Sequence, residues 1–207
     1  MSEDRYVTTR RQLRGIAESF IAGPQYRSAG TIRLAVRPDG FTGVSIPVAV
    51  RGTDLVWGDE GAPLTGTVDA LAAATHLDVG PPEGVYDITD PLDPATVLDV
   101  DPESAELIHR ALYAGGFALK SVLPEQHPTL WPEHFDVAVT EDEVNYGVSP
   151  GDDFHPLPYV YVGPWTSRIG VFWNAPFGAF QVLDVSHDVD RLADDIGAFF
   201  ERGRAES

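Results

Sequence analysis

Residues able to do chemistry gather late in this chain. Gly147-Val148-Ser149-Pro150-Gly151 has the G-x-S-x-G spacing of a nucleophile elbow, in which a strained strand-to-helix turn lifts a serine above a sheet. The following Asp152-Asp153-Phe154-His155-Pro156-Leu157-Pro158 cannot supply the helix, because two prolines stand where backbone donors are needed. An acid and a histidine follow in triad order at Asp184 and His187, but only three residues apart, so the motif reads as a Pro-Gly turn. His134-x-Asp136 and Asp152-Asp153-x-His155 could together offer imidazole and carboxylate ligands to a divalent metal, although in so acidic a chain such neighbours arise from composition alone. Glu133, Asp136 and Glu143 could form an acid/base pair of the glycosidase kind if two of them stood ~5 to 9.5 Å apart. The alternative is a solvated acidic surface.

Strand alternation brings some of these groups together. Residues 134–140 and 143–149 read as a hairpin with Glu141-Asp142 as its two-residue turn, which sets Ala138 opposite Asn145 and His134 opposite Ser149. Phe135, Val137, Val139, Val144, Tyr146 and Val148 then form the apolar side, joined by Val160, Val162 and Phe172. On the opposite side fall His134, Asp136, Asn145, Tyr159, Tyr161 and Trp173, the candidate ligand-binding set. In one reading the three aromatics stack on a small molecule or carbohydrate while His134, Asp136 and Asn145 orient it. In the other, this face packs against the remaining sheet or a second subunit, which would make a homodimer.

The elements that must position these residues follow from periodicity. Leu13, Ile16, Ala17, Phe20 and Ile21 share one face of a helix expected over about 9–22 and stopped by Gly23-Pro24. A meander follows through Ile32 to Arg37, Phe41 to Val44, Val48 to Val50 and Leu55 to Trp57, then a short helix capped by Thr67 and running to about His76. Asp101 and Pro102 open the longest helix. Strands are expected at about 134–140, 143–149, 159–163, 170–173 and 180–185, and a last helix from Asp188. The order helix, strands, helix occurs twice. The expected fold class is therefore α+β: two tandem helix–antiparallel-sheet–helix halves, related by a pseudo-twofold axis if the repeat is real, packed as one unit. The halves are 8–80 and 101–204, with 81–100 as a Pro/Asp-rich connector. In order, Leu34-Ala35-Val36, Gly43-Val44-Ser45 and Trp57 run parallel to Val137-Ala138-Val139, Gly147-Val148-Ser149 and Trp173.

Composition narrows the function classes. Fourteen basic against 32 acidic residues give a net charge of −18, which disfavours nucleic acid and anionic membranes as partners. Residues 1–51 hold eight arginines against four acids, a net +4 that leaves −22 for the remainder, so the two parts should attract. Arg33 and Arg37 are expected to pair with acids of the second half. No cysteine is present, which removes disulfides, thiolate metal sites and cysteine nucleophiles. The longest uncharged run, Ile169 to Leu183, is broken by Asn174, Pro176 and Gly178, so no membrane span is expected. Thr9-Arg10-Arg11-Gln12-Leu13-Arg14 has the look of a twin-arginine signal, but Glu18 interrupts the apolar stretch, and a cytoplasmic protein is expected. No Rossmann fingerprint or P-loop occurs, so no cofactor is expected.

The segments Leu130-Trp131-Pro132-Glu133-His134-Phe135-Asp136, Asn145-Tyr146-Gly147-Val148-Ser149-Pro150-Gly151-Asp152, Tyr161-Val162-Gly163-Pro164-Trp165 and Phe172-Trp173-Asn174-Ala175-Pro176-Phe177-Gly178-Ala179 resemble those of a family of actinobacterial hypothetical proteins. Gly23-Pro24-Gln25-Tyr26 and Gly30-Thr31-Ile32-Arg33-Leu34 extend the resemblance to the amino-terminal half. It implies a bacterial cytoplasmic protein and assigns no activity. The expected role is a nonenzymatic binding or protein-interaction module using the polar and aromatic sheet face, with a small molecule or a protein as partner. The alternative is a hydrolase or metal-dependent enzyme using His134 with Asp136 or Glu143.

Overall fold

The computed structural model describes residues 2–206. Its first helical run is longer than periodicity suggests. Helix α1 (Glu3–Ile16) starts where the Ser2 hydroxyl accepts the Arg5 amide, passes through a π turn at Ala17–Ala22 and continues as α2 (Gly23–Ala29) to a left-handed Gly30. Gly23-Pro24 does not end it, because the ladder changes register there. The Gly23 amide donates to the Glu18 carbonyl, five residues back, which frees the Ser19 carbonyl to accept the Gly80 amide at 2.9 Å. The widened turn lets the chain pass a proline that would break an ordinary α ladder.

Five short strands follow: β1 (Leu34–Arg37), β2 (Gly40–Gly43), β3 (Val48–Arg51), β4 (Asp54–Trp57) and β5 (Glu60–Pro63). A separate pair, β6 (Thr65–Thr67) and β7 (Val97–Asp99), brackets α3 (Val68–Thr75), which Thr67 caps as expected. Helix α4 (Pro102–Val122) begins at the expected Asp101 cap, where the carboxylate accepts both the backbone amide and the hydroxyl of Ser104. Then come β8 (Thr129–Trp131), β9 (Asp136–Glu141), β10 (Val144–Ser149), β11 (Tyr159–Pro164), β12 (Ala179–Val182) and α5 (Val189–Glu206). The expected strand at 170–173 is absent; 165–178 is bends and turns apart from one bridge between Ala175 and Gly178. β5 to β8 were not expected: β6, β7 and β8 are only three residues long, and Glu60-Gly61-Ala62-Pro63 of β5 shows no apolar alternation.

The fold is α+β, with four helical runs among the described residues and a large antiparallel sheet. Ten strands pair in the order β12-β11-β10-β9-β8-β1-β2-β3-β4-β5. The first five and last five therefore join edge to edge, at Leu34 opposite Leu130, and do not stack face to face. The expectation that the aromatic face might be covered by the other sheet is overturned, since side-by-side strands cannot cover one another. Helix α4 crosses β9, β10, β1 and β2, α5 packs on β11, and the π turn packs on β2 and β3. Val137, Val148, Val160 and Val162 bury toward these helices, and Phe200 meets Tyr146 edge-on at 5.9 Å. Arg5 reaches Asp101 and Arg27 reaches Asp78, as attraction between the basic start and the acidic remainder requires. Arg33 instead stacks on Trp131, 5.7 Å from the ring centroid, and not on an acid.

The close seating of α4 depends on Gly115. A β-carbon there would stand 2.7 Å from Val148 Cβ and 2.9 Å from Val137 Cγ1, atoms fixed to two neighbouring strands. Gly115→Ala gains ~1 kcal/mol of helix propensity but forces an overlap that costs about 1–3 kcal/mol, so we expect net destabilisation. Gly197→Ala on α5 meets nothing nearer than Val122 Cγ2 at 3.7 Å and should stabilise by up to ~1 kcal/mol. Denaturant unfolding of both variants checks the pair; a stabilised Gly115→Ala would refute the close approach.

Candidate functional site

The site is built on the face of β9–β11 turned away from the helices. The β9–β10 hairpin pairs Asn145 with Thr140 and Gly147 with Ala138, two residues away from the expected register. Its turn is Asp142-Glu143, both at positive φ (49° and 63°), the primed geometry whose twist matches the strands. A slip of two leaves every side chain on its expected side, because strand alternation has a period of two. At the other end of β9, the four-residue loop Pro132 to Phe135 closes on the Phe135 amide, which donates to the Trp131 carbonyl at 2.7 Å. Phe135 itself sits at φ 53°, unusual for a bulky side chain, with its ring buried edge-on to Phe41.

That loop delivers Asp136 into a buried position, 6% exposed, on the open side of the sheet. Gly147 on β10 stands between Asp136 and Tyr161 of β11 and has no side chain to obstruct the ring; a β-carbon there would lie 2.5 Å from Tyr161 Cζ. The Tyr161 ring lies across β10, and its hydroxyl donates to Asp136 Oδ2 in a short hydrogen bond. Asp136 Oδ1 is buried and has no partner among the described residues. Burial pushes the Asp136 carboxyl up to about 6, against the lowering effects of the Tyr161 hydrogen bond and of His134. Tyr161 is held well above the usual tyrosine range, first by burial and then by the charge of Asp136. A second pair lies alongside: Tyr159 donates to Asp152 Oδ2 at 2.5 Å, while Asp152 Oδ1 accepts the amides of Phe154 and His155.

Two cavities, of about 460 and 530 Å³, share His134, Asp136, Asn145 and Tyr161. Tyr159 lines the larger, so five of the six expected residues come together there. Trp173 does not: it packs edge-on to Phe172, whose ring rests on Phe199 of α5, because the segment is not a strand and alternation does not govern it. Aromatic walls come instead from Trp165, Phe154 and Phe177, which loops carry over the open face. Only Phe180, opposite Tyr161 on β12 and 4.9 Å from Phe154, could have been found by extending the alternation. The Thr140 hydroxyl donates to Asn145 Oδ1 at 2.8 Å. Glu143 lies in the hairpin turn at the far end of β9 from Asp136, so it cannot share a reacting centre with His134. Among the described residues no group of three or more His, Asp or Glu side chains is gathered as a metal ion requires.

No protein-family model, curated protein or solved structure matches the chain.

A buried carboxyl titrating near 6 has a thermodynamic signature. Between pH 3.8 and about 6 the folded protein holds a proton at Asp136 that the unfolded chain has released. Stability from this group therefore falls as pH rises through that window and is level above it. Wild-type minus Asp136→Asn unfolding free energies should drop by up to about 3 kcal/mol across the window, and a flat difference would refute the raised pKa. Tyr161→Phe removes a hydrogen bond that favours the carboxylate, so carboxyl-carbon NMR should show Asp136 titrating higher still.

Proposed function

We propose that the protein is a nonenzymatic binding or protein-interaction module whose working surface is the open sheet face at β9–β11. The observation that carries the reading is Asp136 Oδ1, a buried acceptor left without a partner at the boundary of two cavities. Such an atom is costly to bury unless something else supplies a donor. Neighbouring aromatic side chains add the apolar contact area typical of ligand sites. The exposed loop bearing Trp165, Ile169 and Val171 extends the surface toward a macromolecular partner or a second copy. The palindromic sheet order supports two tandem halves about a pseudo-twofold axis between β1 and β8, with α1 and α4 as equivalent helices. Sheet position equates β1 with β8, whereas matching Leu34-Ala35-Val36 to Val137-Ala138-Val139 equates β1 with β9, so that residue match is offset by a strand. No helix among the described residues is long and apolar enough to cross a membrane. The actinobacterial resemblance supports a cytoplasmic setting.

One observation favours an enzyme as the second reading: Asp136, raised to about 6, is poised as an acid or base near neutral pH. The two readings part on Asp136→Asn. A binding module loses affinity and has no turnover to lose, whereas an enzyme loses turnover and keeps its ground-state affinity.

A thermal-shift screen of small metabolites checks the surface. A true ligand at about 100 times its Kd should raise the wild-type melting temperature by roughly 5–10 °C, and Tyr161→Ala should abolish the rise. Hits that stabilise both proteins equally would place the binding surface elsewhere.

A further inference from the structure

From the acceptors and rings lining the larger cavity, we infer that it is a site for a primary alkylammonium group. The inference rests on the open face being the binding surface and names the chemistry that this face selects.

In a protein with 14 basic residues, none of the described residues lining this cavity is Lys or Arg. The unpartnered buried polar atom among its described lining residues is an acceptor, while the His134 ring and the Asn145 amide nitrogen, whose Oδ1 is taken by Thr140 and Trp165, are its donors. Asp136 Oδ1 has no partner, and the hydroxyl hydrogens of Tyr161 and Tyr159 are already committed to Asp136 and Asp152. Those phenols therefore offer the cavity ring faces and, at Tyr161, lone pairs, not protons, while the Tyr159 oxygen is also hydrogen-bonded with Ser149. Asp152 is spent, with Oδ1 taken by two backbone amides and Oδ2 by Tyr159, and Arg10 lies within Coulombic range of it. The less compensated carboxylate is Asp136, whose burial outweighs the Tyr161 hydrogen bond and the nearby His134.

Tyr161, Trp165 and Phe177 line the same cavity, and Trp165 is 66% exposed with its indole N–H directed to Asn145 Oδ1 at 3.5 Å. Aromatic faces beside a buried carboxylate attract a cation and its alkyl chain together. The free geometry at Asp136 decides which cation. A guanidinium fork prefers both oxygens of a carboxylate, but Tyr161 occupies Oδ2, so a single acceptor remains for a compact ammonium donor. An anion would meet the Asp136 carboxylate with no Lys or Arg in the described lining to offset it.

The test is an NMR titration of the full chain with n-butylammonium, using n-butanol, butyrate and methylguanidinium as comparators and the Trp165 indole and Asn145 amide resonances as reporters. Saturable shifts with n-butylammonium, tighter than with methylguanidinium and absent with butanol and butyrate, are expected. Asp136→Asn should weaken binding roughly tenfold or more. Trp165→Ala, which touches only an exposed ring, should weaken it less while keeping the fold. Capped lysine and its Nε-acetylated form distinguish the source: tighter binding of capped lysine points to a protein side chain, and tighter n-butylammonium to a free amine. Equal response to n-butanol, stronger response to butyrate, or unchanged affinity in Asp136→Asn overturns the ammonium assignment and leaves the open face as a binding surface. Silence of both reporters toward every probe overturns both.

Discussion

Helices cover only one side of a ten-stranded antiparallel sheet, and side chains alternate across it, so each strand residue of β9–β11 is committed either to the core or to the open face. Val137, Val139, Tyr146, Val148, Val160 and Val162 take the helix side, which leaves Asp136, Asn145, Gly147, Tyr159 and Tyr161 on the other. Two layers bury the apolar side well enough that the polar side needs no cover for stability. The site is what remains when the core requirement has been met.

Within that frame one small residue organises the chemistry. Asp136 and Tyr161 sit on strands separated by β10, and a side chain at position 147 would hold them apart. With glycine there, the phenol ring crosses the intervening strand and reaches the carboxylate. Phe135 contributes from the other direction: its left-handed backbone, stabilised by ring burial against Phe41, turns the loop so that Asp136 enters the sheet while His134 stays at the rim. Strain at one residue and the missing side chain at another thus place a carboxyl where it is poorly solvated.

Much of this was legible in the chain itself, and the reason is parity. The β9–β10 register was expected two residues away from where it lies, yet every face assignment in that hairpin holds, because only an odd slip exchanges the faces. Caps at Thr67 and Asp101 were equally readable, since their side chains bond to amides three residues on. Trp173 failed because alternation was extended into a segment that is not a strand. Trp165, Phe154 and Phe177 were out of reach for a related reason: loop residues carry no period, and their positions come from tertiary packing alone. The π turn was hidden because proline normally ends a helix, and only the Ser19–Gly80 hydrogen bond shows what the widened turn makes available.

Charge compensation explains why two similar Tyr–Asp pairs, side by side, differ in character. Asp152 accepts two amides and a phenol and has Arg10 nearby, contributed by the arginine-rich first helix. Arg10, Arg11 and Arg14 line an adjoining cavity of about 340 Å³ that reaches both Asp152 and His134. The basic start of the chain therefore neutralises one side of this region. Asp136 has one side-chain hydrogen bond, from the Tyr161 phenol, and the favourable neighbour His134, while Glu133 adds a like charge from the same loop. Desolvation that outweighs this partial compensation raises its pKa and leaves an oxygen unsatisfied, two symptoms with one cause. A carboxylate in that state gains more from an incoming donor than one already fully bonded, and this difference separates Asp136, with an unsatisfied oxygen, from Asp152, whose two oxygens are bonded within the fold.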